Sequence, residues 1–293
     1  MNEFYSAVGL YNYGLNDLED IFRETESHPD TEIEARGESG ENTERKIEIT
    51  RYVKDNLGIR ERGFVYRDGS FVRQRVFPIV ESDRKALSDE VSIIELKNST
   101  GSLTRVDQAQ LGCSLFTYLQ NLYEVTDGGE MLTEESSVLY NGISLTGLSN
   151  SGMILLPKGE EKDDELEKIE GRRRKIKDEL FSGNDNAYEE LTLTEMEIYS
   201  KIDKRVKNNG VYGVIQNTFM PKWIDEDVYF VIGTIEDCRE TKIDFNGQLV
   251  YQLDLSCCGL NFIVAINRSC LLGEPLEGRR FKGKVWMQSK ILI

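Results

Sequence analysis

The run between Tyr229 and Trp286 constrains the fold most, because its turn sequences fix how its strands pair. Asn246-Gly247 and Cys258-Gly259 are both turn sequences, in which Asn or Gly supplies the positive φ that a tight hairpin requires. A tight turn at Cys258-Gly259 predicts four cross-strand pairs on one face: Cys257 with Leu260, Leu255 with Phe262, Leu253 with Val264 and Tyr251 with Ile266. The other face is mostly polar, so the pattern predicts a half-buried antiparallel sheet.

Strand-like segments on both sides extend this sheet, upstream from Tyr229 to Ile235 and downstream from Arg280 to Lys290. About five strands in roughly 65 residues favour a small antiparallel β-barrel of the oligonucleotide/oligosaccharide-binding (OB) type, with a β-sandwich as the alternative. The last strand presents what we call the cationic row: Arg280, Lys282, Lys284 and Trp286. Such a row suits an anionic or stacking ligand. The alternative is an edge strand whose lysines prevent edge-to-edge aggregation.

A second hairpin is predicted between Gly58 and Ile79, with its turn at Asp68-Gly69. In this register Arg62 faces Arg75, and one side of the hairpin collects four arginines and four aromatic residues. We call it the arginine–aromatic face: Arg60, Arg62, Phe64, Tyr66, Phe71, Arg73, Arg75 and Phe77. Directly opposed like charges destabilise a sheet, so we expect this face to meet an acidic group. That group is either the chain's own acidic segment, Glu32 to Glu48, or another domain, or else an acidic ligand or protein partner.

Changes in sequence period predict three domains and an α+β fold class. Residues 1–157 read as an acidic α+β domain of mixed helices and β-hairpins, including a buried helix from Leu111 to Tyr123. Residues 158–210 are predicted to form a central antiparallel helical hairpin, with a capping box at Thr194 and Glu197. Residues 211–293 are the antiparallel β-barrel-like domain. We expect the two outer domains to have separate sheets.

Charge and cysteine content limit the partners and the location. The chain has 36 basic and 52 acidic residues, a formal net charge of −16, with most of the excess in its N-terminal half. Such a field repels nucleic acid and anionic membranes, which disfavours non-specific binding to either. The sequence has no recognisable signal peptide and no membrane-length apolar run. Its five cysteines are irregularly spaced, which favours reduced thiols and a cytoplasmic location.

Common catalytic and cofactor motifs are missing from the sequence. There is one histidine, His28, and no Cys/His spacing typical of zinc sites or glycine motif for phosphates and dinucleotides. We therefore predict no catalytic residue, metal or cofactor, and favour a non-enzymatic binding or regulatory protein that uses the two basic–aromatic surfaces. Two alternatives stay open. One is binding of single-stranded nucleic acid or oligosaccharide through the C-terminal OB-like domain. The other is an enzyme with an unlocated carboxylate-based site.

Three short motifs resemble a known protein family: Ala7-Val8-Gly9-Leu10, Phe116-Thr117-Tyr118-Leu119-Gln120-Asn121, and the run from Pro275 to Gln288. The family consists of uncharacterised proteins of about this length from anaerobic Gram-positive bacteria. The resemblance covers the whole chain. It implies no activity, because the family has none assigned, and no site residue is implied by it.

Overall fold

The structure is a computed structural model, which describes residues 2–35, 45–87, 91–95, 102–108, 113–125, 136–138, 142–155, 164–181, 187–209, 217–223 and 226–292. The chain forms two compact units. The first comprises residues 1–155 together with 217–293, and the second comprises residues 156–216.

The described residues form sixteen strands, four α-helices and short 3₁₀ segments, so the protein is mostly β. Four strands make an antiparallel sheet in chain order: β1 (Thr31–Glu34), β2 (Arg45–Lys54), β3 (Leu57–Val65) and β4 (Phe71–Val80). The second sheet contains the other strands: β5 (Lys85–Leu87), β6 (Val91–Glu95), β7 (Ser102–Gln108), β8 (Cys113–Leu119), β9 (Ser136–Val138), β10 (Ile143–Leu155), β11 (Thr218–Pro221), β12 (Val228–Lys242), β13 (Leu249–Cys257), β14 (Leu260–Asn267), β15 (Leu271–Leu272) and β16 (Arg280–Ile291). The helices are α1 (Leu15–Ser27), α2 (Leu122–Val125), α3 (Asp164–Phe181) and α4 (Ala187–Asn209), and a 3₁₀ helix spans Asn2–Val8.

Five strands of the second sheet close into a barrel. Their order is β12-β13-β14-β10-β16, and pairing of β16 with β12 completes the circle. β10 runs parallel to β14 and antiparallel to β16. The interior is filled by alternate side chains of these strands, among them Leu253, Leu255, Val264, Phe281 and Met287. β10 precedes the second unit in the sequence, and the other four strands follow it. The barrel is therefore built from two segments that are far apart in the sequence.

The hairpin between β13 and β14 has the predicted register. All four predicted pairs are present, from Tyr251 with Ile266 to Cys257 with Leu260. Cys258 and Gly259 both have positive φ, at 51° and 81°, as a tight two-residue turn requires. The prediction is confirmed because such a turn leaves the flanking strands only one way to pair.

The predicted α+β class is wrong. Strands on both sides of the second unit are hydrogen-bonded into one sheet, so the outer regions do not have separate sheets and the barrel is not a C-terminal domain. The chain is a mostly β protein, not an α+β protein arranged around a central helical hairpin. The predicted helix from Leu111 to Tyr123 is instead strand β8 followed by the single turn α2, and Leu111 lies outside the described residues. Apolar side chains on both faces of β8 hide the alternation that identifies a strand.

The second unit contains α3 and α4. Among the described side chains, ion pairs between these helices include Arg172 to Glu197 at 3.5 Å and Arg173 to Glu195 at 3.2 Å. Their buried side chains include Ile169, Ile176, Ala187 and Ile198. Within the ranges given above, no helix is long and apolar enough to cross a membrane.

Candidate functional site

Arg62 is the centre of the arginine–aromatic face, and this side chain is fully buried. Its Nε donates to Glu48 Oε2 at 2.6 Å, and its Nη2 donates to the carbonyl oxygens of Leu119 and Gln120 at 2.9 and 2.6 Å. Its Cζ lies 5.0 Å from the ring centroid of Phe77. The guanidinium group is therefore enclosed by the protein's own acceptors and rings, and it offers no surface to a ligand.

Arg60 shares the same acidic partner. Its Nη1 lies 3.5 Å from Glu48 Oε1, its Nε donates to Thr50 Oγ1 at 2.7 Å, and its Nη2 pairs with Glu81. Glu48 thus lies between two buried guanidinium groups. Because Glu48 belongs to the segment from Glu32 to Glu48, the predicted pairing with the chain's own acidic segment is confirmed for this residue.

The register of the β3–β4 hairpin agrees with the prediction only in the half that lies far from the turn. Arg62 pairs with Arg75, and Arg60 with Phe77, as predicted. Between Arg62 and the turn the register shifts by one residue, so that Gly63 pairs with Arg73. The turn is also asymmetric, since Gly69 N donates to Tyr66 O while Tyr66 N donates to Ser70 O. A bulge and an asymmetric turn each insert one unpaired residue, which the symmetric prediction left out.

The shift divides the predicted arginine–aromatic face between the two sides of the sheet. Arg75 stays beside Arg62, with its Cζ 4.8 Å from the Tyr118 ring centroid. Arg73 lies against α1, where its Cζ is 5.2 Å from the Phe22 ring centroid. The Phe71 ring covers Gly63 so closely that a Cβ at this position would lie only 2.5 Å from Phe71 Cε2. Phe64 is half-buried and Tyr66 is 37% exposed. A single surface of four arginines and four aromatic residues is therefore wrong.

The cationic row lies on an interior strand. β16 pairs with β10, β12 and β8, which excludes the edge-strand alternative. Trp286 is 3% exposed, and its Nε1 donates to Asp227 Oδ2 at 2.7 Å. Lys282 and Lys284 are half-buried and Arg280 is buried, with the Lys284 Nζ 5.6 Å from the Phe4 ring centroid. Trp286 is covered by protein, so it offers no platform for stacking an external base.

A second charged cluster lies on the opposite face of β3, beneath α1. Arg73 Nη2 donates a hydrogen bond to Glu19 Oε1. Arg73 Nε lies 3.4 Å from Glu26 Oε1 and 4.0 Å from Glu61 Oε2. Glu61 is fully buried, and neither of its carboxyl oxygens has a hydrogen-bond donor. Burial, opposed by Arg73 and reinforced by Glu26 and Glu19, raises the pKa of Glu61 to about 8. Glu61 therefore keeps its proton at neutral pH.

A pocket that the sequence analysis missed lies beside α1, between this helix, β2 and the turn that follows β12. Its volume is about 310 Å³. Its lining residues are Tyr13, Ile21, Glu24, Thr25, Arg51, Tyr52, Val53, Ile59 and Phe245. Ile59 is fully buried, whereas Phe245 is 58% exposed. No local motif indicates this pocket, because its residues come from five parts of the chain: the segment before α1, α1 itself, β2, β3 and the turn after β12.

The walls of the pocket are fixed by contacts between distant segments. Asn246 Nδ2 donates to the Gly9 carbonyl at 2.8 Å and to the Tyr13 hydroxyl at 3.2 Å. Lys54 Nζ donates to Asp244 Oδ2 at 2.8 Å, which ties β2 to the turn after β12. These contacts make the pocket a preformed feature of the first unit, as most small-molecule sites are.

The two charged residues of the pocket lining pair with each other, and the Tyr52 hydroxyl has a partner outside the lining. Arg51 Nη2 donates to Glu24 Oε1 at 2.7 Å. The Tyr52 hydroxyl donates to Glu81 Oε2 at 2.8 Å. The remaining lining is mostly apolar or aromatic, and it includes no histidine or cysteine. This composition suits reversible binding better than nucleophilic or proton-transfer chemistry.

Comparison with known proteins gives one family match. A protein-family model described as "Domain of unknown function, E. rectale Gene description (DUF3881)" matches residues 6–289. No curated protein and no solved structure matches the chain. The matched range includes every residue that lines the pocket.

Proposed function

We propose that this chain, which belongs to the DUF3881 family of domains of unknown function, is a non-enzymatic protein that binds a small ligand in the pocket beside α1. The family membership was predicted from three short motifs and is confirmed. It assigns no activity, so the proposal depends on the pocket alone. The observation that supports it most is a preformed, largely apolar pocket of about 310 Å³, within the size range of small-molecule sites.

The lining indicates a small, mostly apolar and uncharged ligand with a ring. Tyr13 and Phe245 lie edge to face at the pocket, with ring centroids 6.4 Å apart, and can pack against a planar group. The charge of Arg51 is already paired with Glu24 through Nη2, whereas its buried Nη1 has no hydrogen-bond partner, so a neutral ligand that offers an acceptor fits better than a charged one. The net charge of −16 also opposes anions. The acidic ligand or partner that the sequence left open as an alternative has no place in this proposal, since Arg60 and Arg62 are paired inside the protein.

We place the proposed role in the cytoplasm. The support is that Cys238, Cys257, Cys258 and Cys270, the cysteines with described side chains, are free thiols. Reduced cysteines are typical of cytoplasmic proteins.

The test is a screen of small ring-containing fragments, followed by NMR on the full-length protein. We expect binders to shift amide signals of Ile21, Val53 and Phe245, and Val53→Trp to abolish the shifts by filling the pocket. Val72→Trp is the matched control, because Val72 is 47% exposed on β4 and does not line the pocket. The proposal fails if no fragment binds, or if Val53→Trp binds the same fragments as the wild type.

A further inference from the structure

We propose that α1 is a proton-sensitive wall of the pocket, and that a proton shared by the carboxyl groups of Glu61 and Glu26 holds the helix on the first sheet. The pocket's role rests on the proposed function. The attachment of α1 does not, and it can be measured without any ligand.

The position of α1 links the charged cluster to the pocket. Ile21, Glu24 and Thr25 line the pocket. The adjacent face of the same helix carries Glu19, Phe22 and Glu26, at the three- and four-residue spacing of one helical face, and these meet Arg73. A change in the cluster that displaces α1 must therefore also move a wall of the pocket.

The charges of the cluster do not balance when every group is ionised. Glu19, Glu26 and Glu61 surround the guanidinium group of Arg73, and Arg23 Nε lies 3.9 Å from Glu19 Oε1, so three carboxylates face two cations and one negative charge remains in excess. Glu61 is the buried member, and burying an ionised carboxylate without a donor is costly. A proton between Glu61 and Glu26 removes one charge and supplies the missing hydrogen bond.

The other groups that face Glu61 do not neutralise it. Tyr5 approaches from the 3₁₀ helix, and burial together with the Glu61 charge raises the pKa of its hydroxyl, so Tyr5 stays neutral. The positive charge of Arg75, on β4, lowers the pKa of the Tyr5 hydroxyl and so opposes the effect of burial. The Arg75 guanidinium group itself stacks on the Tyr118 ring, on the other side of the sheet. Among the described residues, Arg73 is the cation that contacts Glu61.

The pH dependence follows from proton release. With α1 in place Glu61 titrates at about pH 8, whereas an exposed glutamate titrates near its ordinary value of 4.5. Between these two values the closed state holds a proton that the open state has lost. The open fraction therefore rises with pH, by up to about tenfold per pH unit, and levels off above about pH 8. Retention of a ligand in the pocket should weaken over the same range.

Hydrogen exchange of the α1 amides on the full-length protein tests the inference. We expect protection factors, corrected for the base-catalysed chemical rate, to fall by up to about tenfold per pH unit from about pH 5 to about pH 8, and then to stay constant. Glu61→Gln should remove the slope, since the amide keeps the hydrogen bond to Glu26 without titrating; every variant, including the reference protein, carries His28→Gln, because His28 caps the C-terminus of α1. Glu32→Gln is the matched control, because Glu32 is exposed on β1, and it should keep the reference slope.

A second variant keeps the test decisive if Glu61→Gln does not fold. Glu26→Gln places an amide donor beside the Glu61 carboxylate, so the pH at which protection levels off should fall. A flat reference profile, or a Glu61→Gln profile with the reference slope, would overturn the inference. If the profiles are as expected but no fragment binds the pocket, the proton-sensitive helix stands and only the proposed function fails.

Discussion

At the scale of the residue, the chain uses its arginines to bind itself. Arg62 has no exposed surface, and it satisfies the carbonyl oxygens of Leu119 and Gln120 as well as the Glu48 carboxylate. A buried ion pair contributes little net stability compared with an apolar pair. Removing one partner is nevertheless expensive, because the other charge is left buried and uncompensated. The opposed pair of Arg62 and Arg75 is tolerated because Glu48 and two carbonyl oxygens accept hydrogen bonds from Arg62, and because both guanidinium groups lie against the Tyr118 ring.

Arg62→Gln should lower the free energy of unfolding by about 3–5 kcal/mol, because Glu48 then loses its closest cation and the two carbonyl oxygens lose a donor. The matched control is Arg45→Gln on β2. Arg45 pairs with Glu34 at 2.9 Å, but both side chains are about half exposed, so its loss should cost less than about 1 kcal/mol. Urea denaturation at neutral pH measures both values. Equal costs for the two variants would show that Arg62 is not part of a buried network.

At the scale of the element, the two hairpins show what the sequence can predict. The β13–β14 register was predicted in full because a two-residue turn determines it. The β3–β4 register was right at Arg62 and wrong from Gly63 to the turn, because no change in apolar alternation marks the bulge. β8 was mistaken for a helix because both its faces are buried. The pocket could not be predicted, since Ile21, Val53 and Phe245 meet only after the sheets pack.

Two glycines of the β3–β4 hairpin should respond differently to alanine. A Cβ at Gly63 would lie 2.4 Å from the Val72 carbonyl oxygen, and this backbone atom cannot move without breaking the strand pairing. Gly69 has open space but a φ of +82°, so Gly69→Ala should cost only about 1 kcal/mol in backbone strain. We expect Gly63→Ala to cost more, up to about 3 kcal/mol, and to speed hydrogen exchange in β3 and β4. A smaller loss for Gly63→Ala than for Gly69→Ala would contradict the close strand approach described here.

At the scale of the whole molecule, the barrel depends on a strand from before the second unit. β10 lies between β14 and β16, and it pairs with β16 along almost its whole length, from Ile143 with Ile291 to Leu155 with Arg280. Without β10, both neighbours present unpaired backbone groups and the interior is open to water. The sequence placed all the barrel strands after residue 211, because β12, β13, β14 and β16 alone resemble a complete small antiparallel domain.

We therefore predict that a fragment of residues 217–293 is unfolded by itself, and that a peptide of residues 142–155 restores its structure when added. The peptide supplies β10, which buries the apolar interior and satisfies the edges of β14 and β16. The matched control is the same peptide with Gly147→Val, because a Cβ at Gly147 would lie 2.3 Å from Val285 Cγ1 inside the barrel. Dispersion of amide signals in NMR spectra reports folding, and it should appear only with the native peptide. A well-dispersed spectrum from the fragment alone, as a monomer, would mean that four strands suffice and that β10 is not required to close the barrel.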